Sequence, residues 1–468
     1  MSASMGWTAL WLPLLLGMVG CWPGEKPAPH VIVISVDTLN RNALRSFEGS
    51  APPLPVLDAF AEKSVRFVNA YSTASWTLPA HASLLTGLYP DRHGATRELQ
   101  GMAIGVSTIA EALKSRGYQT VAFTGGGFLH AAYGFSRGFD RYDQRLAKGV
   151  EETGIRLPDR GGSPKIGGKD PFARAIAFVS QRPIDAGPLF LFLHTYAVHD
   201  YYEQREWALA RIGDLVAVHD PPYLTCLWGV RQCSRHDWDR LEALYRAELE
   251  HFDGGLGRLI AALERAQLWD RSVVFFISDH GEGFDPEHRR IHHGGRLHAD
   301  QLHIPLLVRV PGQAPRDETS PVSLVDLMPT ILELTGTPPD GDLDGRSFAA
   351  LLRGESRQKE ARPLYAMEHH YVWSEEGVRM PGRRPGRYPY AVAVIEGPHW
   401  YIRSLWGEEL YDTGTDQLQR QNLARQAADL DGYRELVARR PGRQQVAPNP
   451  IERDEELAAQ LRSLGYTR

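Results

Sequence analysis

The stretch "SVVFFISDHG", Ser272 to Gly281, sets the reading of the chain. The run Val273–Ile277 is continuously apolar, the pattern of a strand buried on both faces of a sheet. It ends in Ser278, Asp279 and His280. Burial gives no reason for an adjacent carboxylate and imidazole at that point. Function does, because ligands of open parallel sheets gather beyond the carboxyl ends of the strands. A carboxylate beside an imidazole suits a hard or borderline divalent cation.

Outward from there, the pattern recurs. "HVIVISVDT" (30–38) is a second buried strand and ends in Asp37. An aspartate after a strand is often a helix N-cap, but with Asp279 and His280 it makes a three-ligand set for a metal. "PLFLFLHTY" (188–196) is a third such strand, with His194 at its end and His199 just beyond, and "TVAFTG" (120–125) and "HIPLLVRVPG" (303–312) read the same way. Between them lie helical stretches: "LPVLDAFAEKSVRF" (54–67), "STIAEALKSRGYQ" (107–119), "PFARAIAFVSQR" (171–182), the long run 236–267 and "SLVDLMPTILELTG" (323–336). Two of these stop at glycine. Helices alternating with apolar strands predict an α/β fold, a large mostly parallel sheet covered by helices on both faces. From about Arg362 the texture changes: "YAVAVIEGPHWYIRS" (390–404) predicts a hairpin, "EELYDT" (408–413) a further strand and "RDEELAAQLRSLGY" (453–466) a closing helix. These form a small, partly antiparallel C-terminal module. The segment 144–170 reads as a loop, and the basic, proline-rich "VRMPGRRPGRYPY" (378–390) as a solvated or substrate-facing loop.

The chain has 468 residues, 43% hydrophobic and 23% charged, with a formal net charge of −5. That balance gives no general attraction to nucleic acid, and none is expected as a partner. The N-terminal "TALWLPLLLGMVGCW" is too short for a confident membrane span but has the length of a signal-peptide core. It ends in small residues and Cys21, which resembles a bacterial lipoprotein processing site. The expectation is an exported protein of the periplasm or cell envelope, anchored to the membrane through lipid on Cys21. The other two cysteines, Cys226 and Cys233, suit a small loop disulfide in an exported chain.

"TLPAHASLLTG" (77–87) carries the reactive candidate. Pro79 favours a first helical turn, which places Thr77 at a helix start among free N–H groups and the positive dipole end. There a hydroxyl is helped toward alkoxide, most of all beside a metal. The plainer use of a threonine at that point is an N-cap. His81, four residues on, shares the helix face of Thr77.

With "ISVDT", "TLPAHASLLTG", "LHTYAVHDYY", "ISDHGEGF", "HHGGRLHADQLHIPLLVRVPG", "DLMPTILELTG", "DGRSF", "EELYDT" and "LRSLGY" in this order, the chain resembles the sulfatase family of the alkaline-phosphatase superfamily over nearly its whole mature length. The resemblance implies a signal peptide at 1–21, a linker at 22–30, a sulfatase-like catalytic domain at 31–361 and a small C-terminal α+β module at 362–468. It also implies an exported, metal-dependent hydrolase of sulfate or phosphate esters on small molecules or glycans. Its metal would be Ca, Mg, Mn or Zn, held by Asp37, Thr77, Asp279 and His280. Catalytic roles fall to Thr77, His81, His199, matching the family's anion-binding histidine, and His293, in place of a family lysine.

The departures from the family are specific. Its nucleophile is a Cys or Ser converted to formylglycine, followed by a conserved arginine; here those positions hold Thr77 and His81. Threonine is not a recognised precursor of formylglycine, so none is expected. Thr77 instead resembles the direct nucleophile of the phosphodiesterase and phosphoethanolamine-transferase branches. The family's second aspartate after the first strand is Thr38 here, and "FTGGGFLH" (123–130) offers no lysine. His194, His288, His292, His298 and His303 read as structural or as residues that support the ligands from behind. The alternatives are a phosphodiesterase, phosphonate monoester hydrolase or phosphoryl transferase of the superfamily, and a non-catalytic lipoprotein that binds anionic glycans.

Overall fold

The computed structural model describes residues 28–145, 171–199, 201, 208, 233–285, 290–355, 362–369, 371–373, 379–381, 390–427, 429–442, 446–452 and 454–463. The expectations for Cys21, Cys226, His288 and most of the stretches 144–170 and 378–390 fall outside these residues. Cys233 is disulfide-bonded. Among the described residues no helix is long and apolar enough to cross a membrane.

The apolar runs at 30–36, 119–123, 189–195, 272–277 and 303–309 form strands where the patterning places them, and further strands join them. In chain order these are β1 (His30–Val36), β2 (Val65–Tyr71), β3 (Gln119–Phe123), β4 (Arg141–Asp143), β5 (Leu189–Thr195), β6 (Ser272–Ile277), β7 (Gly283–Asp285), β8 (Arg290–His292), β9 (His303–Arg309) and β10 (Arg316–Glu318). The large sheet has the order β10-β2-β9-β6-β1-β5-β3-β4. β1 lies at its centre, parallel to β5 and β6, and all seven of its residues are buried. β9 alone runs against its neighbours β2 and β6. β2 is a correction to the sequence reading, which ran the first helix through residue 67. The helix α1 stops at Ala61 (Pro55–Ala61), and Val65–Tyr71 pairs with β9. The β-branched and aromatic residues after Lys63 gain more from the sheet than from a helix end.

Alternation along β1 feeds two cores. Val31 and Val33 face one, packed with α2 (Thr77–Thr86) and α3 (Ile109–Ser115); Ile32, Ile34 and Val36 face the other, packed with α1, α4 (Pro171–Gln181) and the long α5 (Arg235–Arg265). Every residue of α2 is buried, so its amphipathicity is slight and its sequence is small and apolar. It is a helix enclosed on all sides. The C-terminal region adds a four-stranded antiparallel sheet between Leu364 and Asp412, including the hairpin Ala391–Glu396/His399–Ser404. From that sheet the buried Glu368 reaches the loops beside α2: its Oε2 accepts from Ser75 Oγ (3.1 Å) and Gly295 N–H (3.0 Å).

His93, fully buried just beyond α2, shares a hydrogen bond with Ser83 Oγ through Nε2 (3.2 Å) and accepts from the Ala95 N–H through Nδ1 (3.1 Å). Burial first, and then the charge of His369, lower its pKa to about 3. The unfolded chain takes up this proton near pH 6.5 and the folded one near 3. The contribution of His93 is therefore present above about pH 6.5 and is lost as pH falls toward 3, by up to about 1.4 kcal/mol per pH unit. We predict that His93→Gln flattens the fall in urea midpoint between pH 6.5 and 4. An unchanged slope removes His93 from the acid response.

Candidate active site

The three central strands of the sheet, β6, β1 and β5, deliver the chemistry at their carboxyl ends. Asp37 follows β1 directly, and its N–H bonds to Thr195 O at the end of β5 (3.1 Å). Asp279 and His280 follow β6 after Ser278, whose hydroxyl donates to Val36 O (2.8 Å) and accepts from the Leu39 N–H (3.0 Å). That serine stitches the two strand ends together. Thr38, where the family resemblance expects a second aspartate, sits at φ 57°, a costly conformation for a β-branched residue. Its N–H points to Asp279 Oδ1 (3.4 Å) and its carbonyl accepts from Tyr245 OH (2.8 Å).

Asp37, Asp279 and His280 are fully buried and offer ligand atoms within 4.8 Å of one another. His280 Nε2 lies 3.3 Å from Asp279 Oδ2 and 3.7 Å from Asp37 Oδ1. All three of these atoms are buried without a hydrogen-bond partner. His280 Nδ1 donates to Gly281 O (3.0 Å), which leaves the Nε2 lone pair directed at the carboxylates. Orphaned buried polar atoms are rare, and converging lone pairs of two carboxylates and an imidazole fit a divalent cation.

The electrostatics agree. Burial pushes the Asp37 carboxyl up, but the hydrogen bond from His194 and the nearby His199 and His280 imidazoles outweigh it and hold Asp37 well below the usual carboxylate range. Burial, together with the charge of Asp37, pushes Asp279 well above it. Burial lowers His280 to about 4, which keeps it a neutral ligand. Two carboxylates this close do not both stay ionised in a dry site without a compensating positive charge.

Thr77 is the first residue of α2, fully buried, and the N-cap is Trp76, which makes no side-chain cap. The threonine hydroxyl is therefore not used as a helix cap. It donates to Asp37 Oδ2 (3.2 Å), the oxygen that also accepts from His194 Nε2 (3.1 Å). His194, expected to be structural or to support a ligand from behind, supports Asp37 in this way.

The resemblance leaves His81 either to orient Thr77 or to deprotonate it, and its hydrogen bonds favour the first. Its Nδ1 donates to Thr77 O (3.0 Å) and its Nε2 accepts from Ser35 Oγ (2.9 Å). Nδ1 is also 3.4 Å from Asp279 Oδ2. Burial and the neighbouring His194 lower its pKa to about 3. A neutral ring with both nitrogens held in this way packs beside the reactive hydroxyl and orients its surroundings, and it is not placed to take the hydroxyl proton.

His199 and His293 complete the wall of the site, with ring centroids 5.0 Å apart, and His293 lies 4.7 Å from His280. Glu282, which sequence reasoning did not single out, accepts from His293 Nδ1 (2.6 Å) and from Tyr201 OH (2.9 Å). The "SDHGEG" string contains it, but only the folded hairpin β7–β8 reveals its partners.

Comparison with known proteins places this geometry. The Sulfatase family model matches residues 29–337, more than half of the chain. Choline-sulfatase of Rhizobium meliloti is 23% identical over 461 residues, covering 88% of this chain and 86% of the relative. Arylsulfatase K of Canis lupus familiaris is 24% identical over 370 residues, 72% of this chain and 68% of the relative. The fold is that of the phosphonate monoester hydrolase of Agrobacterium radiobacter, with TM-score 0.68, 19% identity, and 91% of this chain and 100% of that chain covered. A structure solved in complex with its substrate D-glucosamine-2-N,6-O-disulfate is similar at TM-score 0.66 and 16% identity, with 94% and 98% covered. The large parallel sheet, its buried carboxyl-end cluster and the match over residues 29–337 lead to one statement of kinship: this chain is an ester hydrolase that belongs to the sulfatase family.

Proposed function

We propose that the protein hydrolyses a phosphodiester or phosphonate monoester by direct attack of Thr77, with a divalent cation held by Asp37, Asp279 and His280. The observation that carries this reading is the hydrogen bond from Thr77 Oγ1 to Asp37 Oδ2, which sets the hydroxyl beside the converging ligand atoms at the start of α2. The imidazole in the set favours manganese or zinc over calcium. When bound, the cation withdraws charge from the hydroxyl and from an ester oxygen and balances the two buried carboxylates.

The residues of the chain account for the remaining steps. Thr77 Oγ1, its proton given up to water, bonds to phosphorus as the bond from phosphorus to the leaving oxygen breaks, while Asp37 Oδ2, held ionised by His194, positions that oxygen. His199 gives that oxygen a proton, while His293 lies beside it to donate to a nonbridging oxygen. Water then attacks phosphorus and hands its proton to His199. The bond from phosphorus to Thr77 breaks, and Oγ1 takes a proton back from water. His194 and His81 keep Asp37 and Asp279 in register.

The preference for phosphorus follows from the nucleophile. A formylglycine hydrate releases sulfate by collapse to the aldehyde. A threonine ester has no such exit and must be cleaved by water at the central atom. The names of the relatives make a sulfate ester the second reading, on choline-like or glycan substrates. In this account the protein is exported, with lipid on Cys21 as its anchor.

Two outcomes test the reading. Thr77→Ala should keep its fold, since it removes one hydrogen bond worth about 1 kcal/mol, and should lose at least about a thousandfold in kcat, while Thr77→Ser keeps a substantial part. Full activity of Thr77→Ala on a panel of diester, phosphonate and sulfate substrates rules out Thr77 attack. Chelation should abolish turnover, and manganese or zinc should restore it in the wild type but not in Asp279→Ala. Full metal content by elemental analysis in that variant contradicts the ligand assignment.

A further inference from the structure

A second buried group of ligand-type side chains lies next to the first and shares no residue with it: Glu282, His292 and His293. The hairpin builds it. Gly283 pairs with His292 across β7 and β8, so the residue before the first strand meets the last residue of the second, His292, and the one that follows it, His293. Glu282 Oε2 is 2.6 Å from His293 Nδ1, Glu282 Oε1 is 3.4 Å from His292 Nδ1, and the two imidazole centroids are 4.1 Å apart. The three offer ligand atoms within 4.8 Å of one another, and none is more than 3% exposed.

We propose that Glu282, His292 and His293 bind a second divalent cation of the zinc type. Two imidazoles and one carboxylate are a zinc donor set, softer than Asp37, Asp279 and His280, so a borderline ion is selected over calcium or magnesium. The surroundings are those of a ligand shell. Tyr201 OH donates to Glu282 Oε1 (2.9 Å), the kind of outer hydrogen bond that fixes a ligating carboxylate. The backbone on both sides is tightly held. A Cβ on Gly281 would lie 2.2 Å from Asp300 O. His292 is held at φ 66°, rare for any residue but glycine and found where a side chain must be aimed. Its carbonyl accepts from Gln301 Nε2 (3.0 Å), which locks that turn.

The placement has a consequence. With Nδ1 given to the second cation, Nε2 of His293 is the nitrogen that can donate to a substrate oxygen, which keeps the role proposed above. The His293 ring is 4.7 Å from that of His280, so the two ions flank one reaction centre. This assignment does not depend on which ester is cleaved, nor on attack by Thr77.

The test is a count of ions. Metal-free protein is loaded with excess Zn2+, desalted and measured by elemental analysis. Two ions per chain are expected in the wild type, and one each in Glu282→Gln, His292→Asn and Asp279→Ala. One ion in the wild type that is lost in Asp279→Ala overturns the second site and leaves the first intact. Two ions kept in both Glu282→Gln and His292→Asn also overturn it. Because either variant can fail to fold, zinc-edge anomalous scattering from zinc-loaded wild-type crystals gives an independent answer. A peak within about 2.2 Å of Glu282 and of both imidazoles is expected, and its absence overturns the proposal.

Discussion

The constraint on which this structure turns is the burial of Asp37 and Asp279 together. Two carboxylates taken out of water at adjacent strand ends carry a desolvation cost of several kcal/mol each. Among the described residues neither carboxylate pairs with a lysine or arginine that would meet that cost. Imidazoles surround them instead: His194 on Asp37, His81 beside Asp279, and His280 between the two. Burial keeps His81 and His280 neutral, at about 3 and 4. The site is therefore electrically incomplete, an arrangement that suits the divalent cation proposed above. The strand ends, the stitching by Ser278 and the left-handed Thr38 all serve to hold that geometry.

The same constraint explains why α2 is enclosed. Its first residue must meet Asp37, so the helix passes under the sheet end with no solvent face. The loop before it is tied from the far side by Glu368, which grips Ser75 and Gly295 with one carboxylate oxygen. The small C-terminal sheet thereby braces both the loop that presents Thr77 and the loop that follows His293. Conversion to formylglycine is the family's solution to nucleophile chemistry. In the proposed mechanism, threonine in that position exchanges the aldehyde exit for a second attack by water. That exchange makes the anion-facing imidazoles more important, because the site must activate two displacements rather than one.

Much of this was legible in the residues. Continuous apolar runs ending in Asp37 and in Asp279 and His280 announced the strand ends, because nothing in core packing calls for those side chains. The large parallel-rich sheet and the hairpin at 391–404 followed from periodicity. The first helix was read too far, since "SVRF" continues an apolar spacing that helix and strand share. The partner of His194 and the role of Glu282 are hidden in the sequence for a different reason: they depend on residues 157 and 11 positions away. His81 illustrates the limit of spacing. Its position on the helix face of Thr77 is right, but Ser35, forty-six residues earlier, takes the nitrogen a base would need.

The central claim is covalent transfer to Thr77, and mass spectrometry of enzyme quenched in acid during turnover tests it most directly. The account predicts an addition on the peptide containing Thr77 of the size of the phosphorus group with the substituent it retains, an organophosphoryl group from a diester or a phosphonyl group from a phosphonate, present with substrate and absent without it. A sulfate-sized addition would keep the nucleophile and change the substrate class. An unmodified Thr77 under conditions where turnover is limited by hydrolysis of the intermediate, or an aldehyde at any residue of the site, would contradict the account.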